Sequence, residues 1–500
     1  MLNAVTHRQS VHDLKSLVRS FHSLIAIETV EEERVEDLLS ELANELGQPL
    51  FEWSVTTGFR RRGTTLPVGN TYDALAVLKH IHELRVDAIF LLKDLGPHLQ
   101  KPETCRALRE VTRKMAHTSS AIVVTGEPLE LPREIDAVAV RFELKLPDEN
   151  ERREVVRQVV ESMQQRQPVE MDLTREDVQR LIHALSGLTL RQTRSVIAQA
   201  ILDTGKLAPM DIEHVIRLKG EIIERGGILE FFPAEENQYE LGGFARLKAW
   251  LEDARIGFTD EAKAVNLQPP KGVLFVGVQG CGKSLAAKFI ARSWQMPLLK
   301  LDAGRLYDKY VGESEKNFRR VTAVAESMAP VVLWIDEIEK AFASVTASDA
   351  DGGLSQRLFA SFLTWLQEKK EGVFVVGAAN DVGRMPPELL RKGRFDEIFF
   401  VDLPSAEERK TIAAIHLKLR KQNAQAFDLA RIAAASEGFS GAEIEQAVIA
   451  SLYRALHAKQ SLTTERVVDA MRGTVPLSVA RREDVERLRE CAAGRCTPVA

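Results

Sequence analysis

A chain of 500 residues and 55.8 kDa asks for about three or four domains. With 45% hydrophobic and 28% charged residues it is globular, not fibrous, disordered or a disulfide-stapled miniprotein. The net charge is −5, with 29 basic and 33 acidic residues over 1–220 and 38 and 39 beyond, so neither half carries a basic excess. That excludes the basic excess of a dedicated nucleic-acid binder. In chain order, short apolar runs at LIAI (24–27), AIFLL (88–92) and AIVV (121–124) read as strands of an α/β core over about 20–147. A helical part follows over about 148–219, completing a first unit of 1–219. Residues 220–240 mix glycine, proline and charge without sustained period and are expected to be a linker. Strands are expected next at Gly272–Val276, Val331–Ile335, Val373–Val376 and Ile398–Val401, in a large α/β subdomain over 241–404. Their unbroken apolar character suits a parallel sheet covered by helices on both faces. A helical lid is expected over 405–475, where Ile444, Val448, Leu452 and Leu456 recur every fourth residue. A tail over 476–500 is expected to be a short helix with a frayed end.

The two halves echo each other. LPDENERREVV at 146–156 parallels LPSAEERKTI at 403–412 at an offset of 257, and GLTLRQT at 187–193 parallels GFSGAEI at 438–444 at 251. The strand runs fall at offsets of 243 to 252, so two copies of one core-plus-lid unit are expected. Cys105, Cys281, Cys491 and Cys496 suggest reduced thiols, and the eleven histidines include no helical i, i+4 pair enclosing an acid. The N-terminus lacks the apolar core and cleavage site of a secretory signal, and no window of eighteen apolar residues offers a membrane span. The expected location is the cytoplasm, or the plastid stroma for an organelle-encoded copy.

Chemistry concentrates in the second half. Residues 272–291 read as a buried strand, a glycine-rich loop and a helix. The loop, Gly277–Val278–Gln279–Gly280–Cys281–Gly282–Lys283–Ser284, fits the phosphate-cradling pattern GxxxxGK[ST] in its required context. Glycines let backbone N–H groups turn toward phosphates, and the helix N-terminus adds partial positive charge. Lys283 suits the β- and γ-phosphates, and Ser284 suits Mg²⁺. VVLWIDEIEK delivers Asp336 and Glu337 from an apolar strand, a costly placement unless they bind something. Asp336 is the candidate to hold Mg²⁺ through water, and Glu337 to polarise the attacking water. Asn380 ends a third strand, placed to orient water near the γ-phosphate. Arg391 and Arg394 in LLRKGRFD stand three residues apart, close together if the segment is helical.

Together these motifs resemble the ATPase domain of the classical AAA branch of the AAA+ superfamily, over about Leu241 to Met471. GVQGCGKS corresponds to Walker A, VVLWIDE to Walker B and Asn380 to sensor 1. The resemblance implies ATP and Mg²⁺ as cofactors. It implies Arg391 and Arg394 as fingers reaching a neighbouring subunit's nucleotide, in a homo-oligomeric ring, usually a hexamer. GFSGAEI matches the sensor 2 region, with Gly441–Ala442 where other AAA+ branches carry an arginine. The likeness also assigns Tyr310–Val311–Gly312 to a pore loop gripping an unfolded polypeptide. Over its whole length the chain is similar to a narrower family, the AAA proteins called hypothetical chloroplast reading frames, sharing PKGVLFVGVQGCGKSLAAK, LWIDEIEKAFA, LTWLQEK and PLSVARRE.

Aligned on LIAI, the first half places Glu28–Thr29–Val30–Glu31–Glu32–Glu33–Arg34–Val35 at the loop position. A carboxylate about 4 Å from a phosphate charge costs roughly 4 kcal/mol at an effective dielectric of 20. Lys93–Asp94 follow its second strand run in place of two acids, and no GRFD-like segment precedes Val138. The first unit therefore reads as a degenerate AAA+-like module for assembly or partner binding. The leading function is an ATPase that remodels or regulates a protein partner. The alternatives are an ATP-dependent assembly scaffold of low turnover and, less favoured, a nucleic-acid-associated motor. Arg60–Arg61–Arg62 is too short a basic run to carry the last and reads as a solvated face.

Overall fold

The apolar runs become the central strands of two separate sheets. The computed structural model describes residues 5–165, 169–234, 240–306, 313–342, 354–369, 372–391 and 393–500. The chain divides into two compact units, Met1–Val215 and Ile216–Ala500. Strands of the first are β1 (Leu24–Glu28), β2 (Leu50–Trp53), β3 (Arg60–Arg61), β4 (Ile89–Lys93), β5 (Ala121–Gly126) and β6 (Val140–Arg141). They form one sheet in the order β3-β2-β4-β5-β1-β6, parallel except where β3 meets β2. Helices Glu149–Gln164, Arg175–Ala184 and Leu190–Thr204 follow, with the short pair β7 (Glu170–Met171) and β8 (Lys206–Leu207).

The second unit holds β9 (Leu229–Phe232), β10 (Gly272–Gly277), β11 (Leu298–Asp302), β12 (Val331–Asp336), β13 (Val373–Ala379), β14 (Glu397–Val401) and β15 (Thr497–Pro498). Their order is β15-β14-β10-β13-β12-β11-β9. Without β3 in the first sheet and β15 and β9 in the second, the sheets read β6-β1-β5-β4-β2 and β14-β10-β13-β12-β11, which is one path through the sheet made twice. Each ends on an antiparallel edge strand, β3 or β9. A shared strand order is a stronger mark of one ancestral unit than a shared α/β character. β10 and β13 are buried along their whole length, and successive residues feed opposite cores. Leu274 and Val276 face one cluster with Phe318 and Phe362, while Val273 and Phe275 face another with Trp294 and Phe399. The lid packs Ile444 and Val448 against Leu417, Ile432 and Val467.

Three expectations are corrected. The stretch 220–240 is not an irregular linker at its start: helix Asp211–Arg225 runs into it, and β9 then pairs antiparallel with β11. Leu229 and Phe231 point inward at 6% and 8% exposure, a period-two signal only four residues long. The end of the chain is not frayed, because β15 pairs with β14 and Val499 is buried against the second core. The lid stripe stops short of Leu456, which is exposed: a strict four-residue repeat drifts round a helix of 3.6 residues per turn, so Ser451 and Ala455 take over the buried face at that end of helix Gly441–His457.

Candidate nucleotide-binding site

Parallel sheets gather ligands at the carboxyl ends of their strands, where the chain path switches direction. In the second unit that point is the end of β10, flanked by β13 and β14. The loop between β10 and helix Lys283–Ser293 takes left-handed backbone at Gly280 (φ +78°) and Gly282 (φ +101°), which favours glycine. Gly277 (φ +144°) lies so close to β14 that a Cβ would stand 2.1 Å from the Val401 carbonyl oxygen. The glycines of the motif are thus demanded by backbone approach.

Lys283 is 7% exposed and folds over its own loop, its Nζ donating to the carbonyls of Gly277 at 2.7 Å and Val278 at 2.9 Å. Burial lowers its pKa to about 8, against the nearby Cys281, Glu339 and Asp336. Asp336 ends β12 half-buried, and burial raises its carboxyl above the usual range despite Lys300. A desolvated carboxyl of this kind gains most from a cation. Glu337 follows in left-handed backbone (φ +48°) and accepts from Lys340 Nζ at 2.6 Å. Asn380 follows β13. Gln279 to Ser284, Asp336, Glu337 and Asn380 all line one cleft of about 1230 Å³. Leu241, Ile412 and Ile415 add apolar wall at the lid side, and Gly441 and Ala442 close the loop side. There the Ala442 N–H donates to the Gly280 carbonyl at 3.0 Å. A glycine cradle, a buried lysine, a hydroxyl and a half-buried acid fit a nucleoside triphosphate with Mg²⁺, Ser284 and Asp336 being the groups able to hold the ion.

Other sequence-expected residues stand differently. Arg391 and Arg394 do not share a helix: a 3₁₀ turn, Pro387–Leu390, ends at Arg391, whose backbone is extended. Neither lines the cleft of its own chain, and Nη1 of Arg394 is buried without a hydrogen-bond partner among the described residues. Tyr310, Val311 and Gly312 lie outside the described residues. One residue escaped the sequence reading. Glu339, 6% exposed, accepts the Asn380 N–H at 3.0 Å through Oε1, while Oε2 has no partner among the described residues. The third acid in DEIE was its only signal, masked by the stronger Asp336–Glu337 pair.

Among its described residues the first unit lacks such a cradle. Its turn between β1 and helix Glu32–Leu46 is only Thr29–Val30–Glu31, two residues shorter than Val278–Gly282. The ungapped alignment of Glu28–Val35 therefore does not hold. Where Lys283 opens its helix, Glu32 opens this one, and burial raises its carboxyl pKa. Asp94 repeats the left-handed backbone of Glu337 (φ +52°) after β4, but Lys93 stands in the place of Asp336 and pairs with Glu36.

Sheet order, phosphate loop and helical lid define a P-loop fold of the AAA type. Residues 273–403 match the family described as ATPase family associated with various cellular activities (AAA), and 426–469 match the AAA+ lid domain. In the first half, 10–144 and 150–226 match the N-terminal and second domains of SpoVK-like AAA ATPases. More narrowly, the chain is 35% identical over 485 residues to the "Uncharacterized AAA domain-containing protein ycf46" of Trieres chinensis, covering 96% of each. It is 36% identical over 488 residues to the protein of that name from Pyropia yezoensis, covering 96% of this chain and 97% of the other. The "ATPase family gene 2 protein" of Schizosaccharomyces pombe is 28% identical over 375 residues, covering 69% of this chain and 45% of the relative. The chain belongs to the ycf46 family of AAA proteins, the hypothetical chloroplast reading frames.

Proposed function

We propose that the chain is a Mg²⁺-dependent ATPase that works as a homo-oligomeric ring, a hexamer, to remodel or regulate a protein partner. The observation that carries this reading is the convergence of Lys283, Ser284, Asp336, Glu337 and Asn380 on one cleft. Lys283 exchanges the Gly277 and Val278 carbonyls for the β- and γ-phosphates, while the loop N–H groups cradle the same oxygens. Ser284 and Asp336 hold Mg²⁺, which neutralises charge on the β- and γ-oxygens when bound. Glu337, released from Lys340, polarises the attacking water and takes its proton, and Asn380 orients that water. Glu339 fixes the backbone of Asn380. Arg391 and Arg394, which leave their own cleft unserved, suit a neighbouring subunit's γ-phosphate, where such a group contributes about 10³–10⁵ in rate. Tyr310–Val311–Gly312 is the proposed grip on a protein client. The proposed location is the cytoplasm, or the plastid stroma for an organelle-encoded copy.

Lys283→Ala is expected to abolish ATP binding, and Glu337→Gln to bind ATP without steady-state turnover. Normal turnover in both variants would sink the reading. The first unit's missing phosphate loop favours a second one, in which ATP only sets assembly. Light scattering beside a turnover assay separates them: rings that form with ATP without partner-stimulated turnover favour the scaffold.

A further inference from the structure

Within the first unit, a carboxylate stands at the junction where the second unit has its phosphate loop. Glu31 ends the three-residue turn after β1, and its Oε1 accepts the N–H of Leu190 at 2.7 Å and of Arg191 at 3.4 Å. These are the first residues of the fifteen-residue helix Leu190–Thr204, capped by Thr189. The echo GLTLRQT/GFSGAEI makes Thr189 the counterpart of Ser440 and Arg191 that of Ala442, each pair 251 residues apart. In the second unit the equivalent junction is the Ala442 N–H donating to the Gly280 carbonyl, beside the phosphate cradle. Core and helical part therefore meet at the same point in both units. In the first, an anionic side chain makes the contact, satisfying free helix N–H groups and the positive end of the helix dipole.

The carboxylate belongs to a buried chain of charge. Arg34 lies 3.7 Å from Glu31 and forms a fork onto Glu151, Nε to Oε1 at 2.9 Å and Nη2 to Oε2 at 3.0 Å. Glu151 is in turn the capping-box acid of helix Glu149–Gln164. Side-chain exposures of 7%, 5% and 13% for Glu31, Arg34 and Glu151 mean that each charge depends on its partners. Arg34 also donates to the Lys145 carbonyl, on the irregular segment between β6 and helix Glu149–Gln164.

We propose that the first unit is locked closed without nucleotide, the Glu31 carboxylate bridging sheet core and helical part in the role that bound phosphate plays elsewhere in this fold. The turn Thr29–Glu31 is too short to wrap phosphates, and an anion entering there would meet Glu31, Glu32 and Glu33. The helical part of the first unit is therefore positioned by its own side chains and is indifferent to ATP. The lock does not depend on the ATPase reading, since all three residues lie in Met1–Val215.

Hydrogen exchange read by mass spectrometry on the full chain tests this, following peptides that cover 188–196. Glu31→Ala is expected to speed exchange of the first helical amides there by at least about tenfold, while peptides from β1, β4 and β5 keep wild-type protection. MgATP is expected to leave the 188–196 peptides unchanged in both wild type and Lys283→Ala. Unchanged exchange in Glu31→Ala overturns the lock. So does MgATP-dependent protection of these peptides in Lys283→Ala, where the second unit's loop lysine is gone. If Glu31→Ala loses the sheet as well, Glu31→Gln is the reading: local loosening supports the lock, and wild-type exchange overturns it.

Discussion

Gly272 starts β10, where a Cβ would stand 2.2 Å from the Val375 carbonyl oxygen of the neighbouring strand. Because β10 pairs with both β13 and β14, the backbone cannot retreat from that contact without breaking a ladder. Gly272→Ala is therefore expected to lower stability by about 1–3 kcal/mol, read as a shift of the denaturant midpoint. A wild-type midpoint would mean that the strand end yields freely. Cys281 is the second case in which place overrides residue type. It sits in the phosphate loop beside Lys283, yet it is 8% exposed, and burial pushes its thiol up to about 12. At pH 8 only about one part in ten thousand is thiolate, the reactive form. Iodoacetamide at pH 8 is expected to leave Cys281 unmodified in the folded chain and to label it in urea, as peptide mass mapping would show. Prompt labelling of the native protein would contradict the buried placement.

The elements differ in how plainly the sequence announces them. β10, β12 and β13 were legible because central parallel strands, buried on both faces, are unbroken apolar runs. β11 and β9 were not: LLKLD carries Lys300 over the Trp334 ring, and LEFF turns Glu230 outward to pair with Lys300 at 3.1 Å. Charges that complete a cross-strand pair look, in one dimension, like the end of a strand. The echoes between the halves also gain a physical reading. LPDENE, LPSAEE, GLTLRQ and GFSGAE are helix N-caps, each with its side-chain acceptor and its acid or amide three residues on. What survived in sequence was capping chemistry, while the shortened turn after β1 stayed hidden, since no apolar period marks the loss of two loop residues. The edge strand carries a test at this scale. Phe231 packs into the core with Phe318 and Phe362 and lies under Lys219 Nζ at 5.4 Å from its centroid. Phe231→Ala is expected to cost about 3 kcal/mol, measured by denaturant unfolding. A loss under about 1 kcal/mol would return residues 229–232 to the status of a linker.

At the scale of the whole molecule, two sheets of one strand order differ in a single capacity. One presents a five-residue glycine loop, a lysine and an acid at the end of its central strands, and the other a three-residue turn with carboxylates and a lysine exchanged. Equilibrium binding of ATP to the Glu337→Gln chain is therefore expected to titrate to one nucleotide per chain, and to none when Lys283→Ala is added. Two per chain would restore the first half as a nucleotide site. The pairing of β15 with β14 has a practical corollary for anyone handling the protein. Pro498, Val499 and Ala500 form part of the cleft wall beside Asp402. A substitution or chemical label placed at Pro498 or Val499 is therefore expected to disturb a cleft wall and a sheet edge at once, so reporters for this protein belong elsewhere on the chain.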